Sequence, residues 1–287
     1  MVKYSIIIPH HNIPVLLQRC LDSIPDIDEI QVIIVDDNSD ESLVTPDSFP
    51  GVHRSNTEVY FTKEGKGAGY ARNVGLKHAK GKWLLFADAD DYFTDNMLKT
   101  VDSFFSSSAD MILFKALSVN SDTLEPADRN TTLNNLIDSS LKGTISEKQV
   151  ALSVHVPWCR MIRSDLVKMN NITFDEIIAS NDTMFTTKVS CLANEILLSP
   201  DMLYVVTYRS GSLWDNKWKN PDNYLIRLET LIRRNKYVHS YGYKKIPVGY
   251  IVLHAWRVSL RTFIKALVIA IKNKALFDGL GAFLKKN

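Results

Sequence analysis

The 287-residue chain has few cysteines and no long apolar run. Its three cysteines, Cys20, Cys159 and Cys191, lie far apart and lack the spacing of metal ligands, which argues against a disulfide framework or a zinc ribbon and implies a reducing compartment. The longest apolar run near the C-terminus, residues 266–271, is far shorter than the roughly 20 residues that span a bilayer. No export signal is visible at the N-terminus. We therefore expect a cytoplasmic protein without a transmembrane helix.

Charge is unevenly distributed along the chain. From Arg233 onward, twelve Lys and Arg residues stand against one acid, Asp278, whereas residues 1–232 carry 31 acids and 22 bases. The chain is therefore electrically bipolar, with a basic C-terminal end. The hydrophobic content of 45% is enough for a large core and excludes a disordered chain.

Short apolar runs, which are typical of buried strands, alternate with amphipathic segments over the first 120 residues. Residues 5–9, 31–35, 59–61, 82–87 and 111–115 are predicted strands, and residues 14–24, 69–79 and 95–105 are predicted helices. This alternation favours an α/β fold with a mostly parallel central sheet and helices on both faces.

Polar residues follow three of the predicted strands. His10, His11 and Asn12 follow the first, Asp36 and Asp37 follow the second, and Asp88, Asp90 and Asp91 follow the fourth. Ligands of open α/β sheets bind beyond the carboxyl ends of the strands, so we expect these side chains to meet at one edge. The alternative is that Asp and Asn simply make good turn residues.

The segment FADADDYF, residues 86–93, contains two acids around a small residue, Asp88 and Asp90 around Ala89. Oxygen ligands of this kind suit a hard cation such as Mg²⁺ or Mn²⁺, which neutralises a departing diphosphate. Arg72 follows the glycine-rich residues 65–69 and would add a cationic contact to the same phosphates. The glycine run lacks the pattern of a Walker motif.

Three segments resemble, in order and spacing, the nucleotide-binding half of family 2 glycosyltransferases. They are YSIIIPHHN, VIIVDDNSD and GAGYARNVGLKHAKGKWLLFADADDYF. The resemblance covers residues 3–115 closely and extends more loosely to about residue 212. It implies an inverting enzyme of the GT-A fold that uses a nucleotide sugar, most often a UDP-sugar, and a divalent metal. Residues 1–215 would form the GT-A domain, with 1–115 as its nucleotide-binding half and 116–215 as its acceptor half, and residues 216–287 would form a basic helical extension.

The resemblance also assigns the donor site. The first strand end and Asp36 or Asp37 would contact the nucleobase, and Arg72 would lie near the base or the diphosphate. Asp88 and Asp90 would be the acids of the DXD motif, with Asp90 the direct metal ligand and Asp88 at the ribose or the metal. The expected donor-binding set is Pro9, His11, Asn12, Asp36, Asp37, Arg72, Asp88, Ala89 and Asp90. His11 stands where the family often has Tyr.

An inverting displacement needs a general base for the acceptor hydroxyl. The segment ASNDTMFTTKV, residues 179–189, is similar to the family's EDxxF helix start, which puts Asp182 in the base position and Asn181 where Glu is usual. The alternative is that Asp182 only caps the helix that follows.

Three further residues take roles from the resemblance. In VPWCRMIRSDLV, Trp158 would form a wall of the sugar pocket, and Arg160 stands on the acceptor side where Lys is common. Arg209, in TYRSGSL, would approach the diphosphate, although an ordinary salt bridge explains it equally well.

The basic C-terminal end predicts an amphipathic helix. Its cations lie on one side of the helix: Arg257, Arg261, Lys265 and Lys272. Its apolar residues lie on another side: Trp256, Leu260, Phe263, Leu267 and Ile271. Such a helix binds an anionic membrane surface from the cytoplasmic side, or packs on the core or on a second subunit of a homodimer. No groove for a nucleic acid is evident.

Three functions are compatible with these patterns. The first is transfer of a sugar from a nucleoside diphosphate to a glycan or lipid-linked acceptor, in the synthesis of a bacterial surface polysaccharide. The second is a nucleotide-sugar-binding module without catalysis. The third is a metal-dependent nucleotidyl or phosphoryl transferase, which would release pyrophosphate or phosphate in place of a nucleoside diphosphate.

Overall fold

The computed structural model describes residues 1–209 and 219–279. Strands and helices alternate in its first part as β1 (Tyr4–His10), α1 (Pro14–Asp22), β2 (Ile30–Asp37), β3 (Thr57–Thr62), α2 (Ala68–His78) and β4 (Trp83–Phe86). β1 and β2 are buried along their whole lengths, as expected for Ile- and Val-rich strands covered on both faces. The predicted strands and helices of this region are confirmed, with ends displaced by a residue or two.

The next part of the chain contains β5 (Tyr92–Phe93), α3 (Met97–Ser103), β6 (Met111–Asn120), α4 (Thr131–Leu141), α5 (Glu147–Ser153), β7 (Arg160–Arg163), α6 (Ser164–Met169), α7 (Thr183–Leu192) and β8 (Ile196–Tyr208). β6 is longer than the predicted 111–115 because its second half pairs with β8 as far as Tyr208.

These strands form one eight-stranded sheet in the order β3-β2-β1-β4-β7-β6-β8-β5. Neighbours are parallel, except that β7 is antiparallel to β4 and β6, and β5 is antiparallel to β8. The predicted α/β class with a mostly parallel sheet is therefore confirmed. Because β2, β1 and β4 are adjacent, their carboxyl ends bring the predicted polar residues to one edge.

Close contact between α2 and β1 holds the first part of the sheet together. Gly75 of α2 lies so near Ile7 of β1 that an added Cβ would come within 2.5 Å of a side-chain methyl group. Larger side chains fill the rest of the core, and the biggest fully buried ones include Tyr4, Trp83, Phe86 and Phe114. Since protein cores are close-packed, these contacts fix α2 and its N-terminal loop relative to the sheet.

The C-terminal part is helical, as expected, and consists of α8 (Pro221–Ser240), α9 (Val248–His254) and α10 (Leu260–Lys272). It has its own apolar cluster, which includes Leu228, Ile232, Val252, Ala266 and Ala270. A smaller cluster of Leu152, Cys191 and Val238 joins α8 to α5 and α7. The expected boundary at 215/216 lies outside the described residues.

The basic helix begins after Trp256 and Arg257, which were predicted to lie on its faces. Ser259 is extended, with φ −172° and ψ 157°, and its hydroxyl accepts a hydrogen bond from the Thr262 N–H, so α10 starts at Leu260. Trp256 belongs to a separate 3₁₀ turn, Ala255–Arg257. Among the helices of the described ranges, none combines the length and the apolar character of a membrane span.

Candidate active site

The ends of β1 and β2 are joined by a buried hydrogen-bond network. His10 pairs with Asp36 across the parallel ladder, and its Nδ1 lies 2.6 Å from the Asp36 carboxylate. The Ile13 N–H donates to His10 Nε2, so the ring proton lies on Nδ1 and points to Asp36. Burial raises the pKa of Asp36, but the hydrogen bonds from His10 and Ser39 outweigh it and hold that pKa below its usual value. Asp36 is therefore a positioning carboxylate within the loop.

Asp37 anchors the glycine-rich loop. One of its carboxylate oxygens accepts the Gly67 N–H, and the other accepts the Thr62 hydroxyl. Gly67 has φ +86°, which is easy for glycine and unfavourable for a residue with a side chain. The nucleotide-binding role expected for Asp37 stays a prediction, and in the structure the carboxylate fixes the loop before α2.

Asn12 and His11 occupy the turn after β1, beside Pro9 at the end of the strand. Asn12 has φ 59°; its N–H donates to Ser39 and its side-chain oxygen accepts the Asp40 N–H. The exposed His11 donates from Nδ1 to the Asp37 carbonyl. Both residues fix the edge where the nucleobase is expected.

Three carboxylates gather after β4. Ligand oxygens of Asp88, Asp90 and Asp91 all lie within 4.8 Å of one another. β8 positions them: the Asp88 N–H donates to the Tyr204 hydroxyl at 2.8 Å, and the Thr207 N–H donates to the Asp91 carboxylate at 2.7 Å. Ala89 is buried between them and leaves room for the acids on either side.

The negative charges of this cluster repel one another. Burial, followed by the negative charge of Asp88, raises the pKa of Asp90. Burial and the charges of Asp90 and Asp88 raise the pKa of Asp91 well above its usual value. All ligand atoms are oxygens, which suits Mg²⁺ or Mn²⁺ better than a soft metal. The residues therefore fit a divalent cation, with Asp88 and Asp90 as the more accessible ligands.

Arg72 links the acid cluster to the loop before α7. Its guanidinium donates to the Asp88 carboxylate at 2.5 Å and to the Asn181 side-chain oxygen at 3.0 Å. Gly69, one turn earlier in α2, allows this approach, because a Cβ there would lie 2.1 Å from the Asp175 carbonyl oxygen. Asn181, which stands where the resemblance makes Glu usual, thus accepts a hydrogen bond from an arginine.

Asp182 lies close to the same charges, at the start of α7. Its side chain forms no capping hydrogen bond with that helix. Burial raises its pKa to about 6, Arg72 counteracts the rise, and the charge of Asp88 adds to it. A partly buried carboxyl with a pKa near neutrality is suited to accept a proton, so capping alone does not explain this residue.

Comparison with known proteins shows the family of the chain. The family model described as glycosyl transferase family 2 matches residues 5–169. The chain belongs to this family. Poly(ribitol-phosphate) beta-N-acetylglucosaminyltransferase TarS of Staphylococcus aureus is 29% identical over 238 residues, which are 78% of this glycosyltransferase and 39% of TarS. The poly(ribitol-phosphate) beta-glucosyltransferase of Bacillus spizizenii is 27% identical, over 80% of this chain and 36% of the relative. The chain thus spans well under half the length of these relatives.

Two solved structures show the same GT-A fold. TarS 1–349 from S. aureus in complex with UDP-GlcNAc has a TM-score of 0.70 and 24% identity, with 96% of this chain and 84% of that chain covered. The mannosyltransferase PcManGT from Pyrobaculum calidifontis, in complex with GDP-Man and Mn²⁺, has a TM-score of 0.60 and 18% identity, with coverages of 94% and 75%. The GT-A expectation for this glycosyltransferase is confirmed.

The two predicted acceptor-side residues before α7 lie inside the glycosyltransferase. Trp158 is 5% exposed and stacks on the Tyr204 ring at 5.5 Å, so it supports the tyrosine that receives the Asp88 N–H. Arg160 is 1% exposed, and its guanidinium donates to the carbonyls of Ala151, Val154 and Val156. Their direct acceptor roles stay predictions.

The structure places several cationic side chains at the site that the sequence patterns did not predict. Arg19 of α1 donates to the Asp90 carbonyl at 2.7 Å. Arg129 donates to the Thr207 carbonyl, and the charges of Arg129 and Arg209 both lower the pKa of Asp90. Arg227 of α8 donates to the Ser180 hydroxyl at 3.1 Å and interacts with the charge of Asp182. Arg209, which was predicted, therefore lies in the field of the acid cluster.

Proposed function

We propose that this glycosyltransferase is an inverting enzyme that moves a sugar from a UDP-sugar, with Mn²⁺ or Mg²⁺, to a bacterial surface glycopolymer. Family membership supports the reaction class. One observation carries the proposal: Arg72 joins two carboxylate sites by hydrogen bonds. The first is the cluster of Asp88, Asp90 and Asp91, and the second is the loop of Asp182. We place the reaction in the cytoplasm.

The donor roles follow from the charges. Asp90 and Asp88 would hold the divalent ion, which supplies charge neutralisation for a departing diphosphate. Asp91 is buried and bonded to Thr207, and it orients the loop. Arg72 and Arg209 would contact the diphosphate, while the turn of Pro9, His11 and Asn12 and the loop held by Asp36 and Asp37 would border the nucleobase.

The acceptor roles centre on Asp182. Its carboxylate would take the proton from the acceptor hydroxyl as that oxygen attacks the anomeric carbon, which inverts the configuration there. Asn181 holds Arg72, and Arg227 places a further cation beside Asp182. Trp158, through Tyr204, and Arg160 would shape the acceptor side from within.

For the acceptor we propose a phosphate-containing glycan polymer, free or lipid-linked. Two relatives carry poly(ribitol-phosphate) in their names. The cations Arg129, Arg209 and Arg227 lie near the acids of the site, where they would attract a polyanion.

The donor and metal are tested by thermal unfolding with UDP, GDP, CDP and ADP, each with and without Mn²⁺. We expect UDP with Mn²⁺ to raise the unfolding temperature most, because a ligand that binds only the folded state stabilises it. A larger shift with another nucleotide would reject uridine, and equal shifts without metal would reject the metal role.

The site residues are tested with two carboxamide variants. Asp90→Asn should weaken metal-dependent UDP-sugar binding by roughly 10²-fold, because the metal contributes several kcal/mol. Asp182→Asn should leave that binding unchanged and lower kcat by about 10²- to 10⁴-fold. Asp22→Asn, an exposed acid in α1, serves as the control.

The same assay separates the alternatives. Normal turnover by Asp182→Asn would exclude it as the base. Release of pyrophosphate or phosphate in place of UDP would indicate a nucleotidyl or phosphoryl transferase. Metal-dependent UDP-sugar binding without transfer to any polyol-phosphate or lipid-linked acceptor would indicate a binding module.

A further inference from the structure

An apolar stripe on α10 is exposed. Leu260, Ile264, Val268 and Ile271 are 43% to 56% exposed and recur at helical spacing on one side of the helix. We call these four residues the outer face of α10. Trp256, in the turn before α10, is 60% exposed and extends this apolar surface.

The packing of α10 fixes the direction of this face. The opposite side presents Thr262, Ala266 and Ala270, which are buried, the two alanines within the C-terminal cluster. Phe263 and Leu267, which we predicted to share the stripe with Leu260, are partly buried against that cluster. The opposite side of α10 therefore packs on the core, and the side chains of the outer face do not contribute to that core.

Cations border the outer face. Arg261, Lys265 and Lys272 are exposed on the adjacent side of α10, and Arg257 is exposed just before it. The one acid of this end of the chain, Asp278, is paired with Lys245 at 2.8 Å. Arg257 also borders a cavity of about 520 Å³, together with Lys219 and His254. The surface is therefore apolar in the middle and basic along its edge.

We propose that the outer face of α10 docks on an anionic lipid surface. Exposed aliphatic side chains enter the boundary between headgroups and acyl chains, and adjacent Lys and Arg bind the anionic headgroups. A second copy on the same face would bring the cationic edges together in a two-fold interface, and a nucleic acid would leave the aliphatic residues in water. The excess of acids in residues 1–232 is repelled by such a surface, so the basic end faces it.

This docking goes beyond the proposed function, because it needs neither donor nor acceptor. It is tested with the full chain in co-sedimentation with vesicles of phosphatidylcholine, alone or mixed with phosphatidylglycerol. We expect binding to the mixed vesicles, little binding to phosphatidylcholine alone, and weaker binding at 0.5 M salt.

Neutral substitutions test the basic edge. Arg261→Gln with Lys265→Gln should weaken binding by roughly thirtyfold, since each cation near the surface contributes about a factor of five. Lys99→Gln with Lys142→Gln removes the same charge from exposed positions of the GT-A domain and should change binding by less than about twofold. Equal losses in the two pairs would overturn a specific docking face.

Polar substitutions test the apolar centre. Ile264→Ser with Val268→Ser should weaken binding by about tenfold or more, whereas Leu141→Ser with Met169→Ser, at exposed positions elsewhere, should not. A blue shift of tryptophan emission on mixed vesicles that Trp256→Phe removes would support insertion.

Two results would reject the docking of this face on a lipid surface. The first is unchanged vesicle binding by the serine pair at α10. The second is a dimer in sedimentation velocity that this pair abolishes, without vesicle binding by the parent chain. Transfer to a water-soluble acceptor without vesicles should be the same in all these variants, so failure of docking is distinguishable from failure of the proposed reaction. Equal unfolding temperatures check that the variants are folded.

Discussion

At the scale of single residues, the environment of Asp182 sets its protonation. Burial raises its pKa, Arg72 lowers it, Asp88 raises it and Arg227 lowers it, with a result of about 6. A carboxylate acts as a base only when it is deprotonated. We therefore expect kcat/KM to rise with pH and to level off above an apparent pKa near 6.

Arg227→Gln should move this acid limb to higher pH, because it removes a cation that favours the carboxylate. Arg227→Lys should move it less, since the charge stays. The measurement is the pH profile of kcat/KM from pH 4.5 to 8. Arg233→Gln is the matched control, because Arg233 lies on the same helix and pairs with Asp175. An identical limb in Arg227→Gln and Arg233→Gln would contradict the proposed contact with Asp182.

At the scale of elements, β7 begins near α5 and supports it with a buried cation. Burial lowers the pKa of Arg160 to about 10. Its N–H groups donate to the carbonyls of Ala151 and Val154 at the end of α5 and to that of Val156 just beyond it. Carbonyl groups at a helix end need such partners. The last turn of α5 therefore depends on a residue of the neighbouring strand.

Arg160→Met should lower the free energy of unfolding by about 3 kcal/mol or more, because it leaves buried carbonyls without donors. Arg163→Met, at the other end of β7 and paired with the more exposed Asp165, should cost less than about 1 kcal/mol. Urea unfolding of both variants measures the difference. If Arg160→Met keeps full kcat/KM at a temperature where it is folded, the direct acceptor role predicted for Arg160 is wrong.

The elements that the sequence predicted are those with a strong local signal. β1 and β2 are continuous apolar runs, and strand and helix alternate up to β4, so the meeting of Asp36 and Asp88 at one edge followed from topology alone. β7, with the sequence RMIR, and the two-residue β5 have no such signal. Arg227 is far from Asp182 in sequence, and only the docking of α8 brings them together. Contacts of this kind depend on tertiary packing, which local patterns do not encode.

At the scale of the whole molecule, two partly buried groups make stability depend on pH in opposite directions. His155 accepts a hydrogen bond from Arg234 of α8 at 3.1 Å, and burial followed by the charges of Arg234 and Arg160 lowers its pKa to about 3. The unfolded chain binds this proton below about 6.5, so stability is lost as the pH falls from there toward 3. For Asp182 the folded pKa is the higher one, so stability is lost as the pH rises from 3.8 to about 6.

The two effects should cancel between about pH 4 and 6, where each has a slope of up to about 1.4 kcal/mol per pH unit. His155→Asn should therefore lose stability with rising pH relative to the parent chain, and Asp182→Asn should gain it. Urea unfolding at several pH values in this window measures both, and other titrating groups cancel in the comparison. Curves that stay parallel to the parent would show that neither group is coupled to folding in this way.

Arg72 donates both to Asp88 after β4 and to Asn181 before α7, and this double contact has a consequence for kinetics. A nucleotide that takes over its bond to Asp88 also alters the restraint on Asn181 and on the loop of Asp182. We therefore expect ordered addition, with the nucleotide sugar bound before the acceptor and the nucleotide released last. UDP should then compete with the donor but not with the acceptor, and Arg72→Lys, which lacks the second donor in fixed geometry, should bind the two substrates in random order. One side chain would thus determine the sequence of events in each turnover.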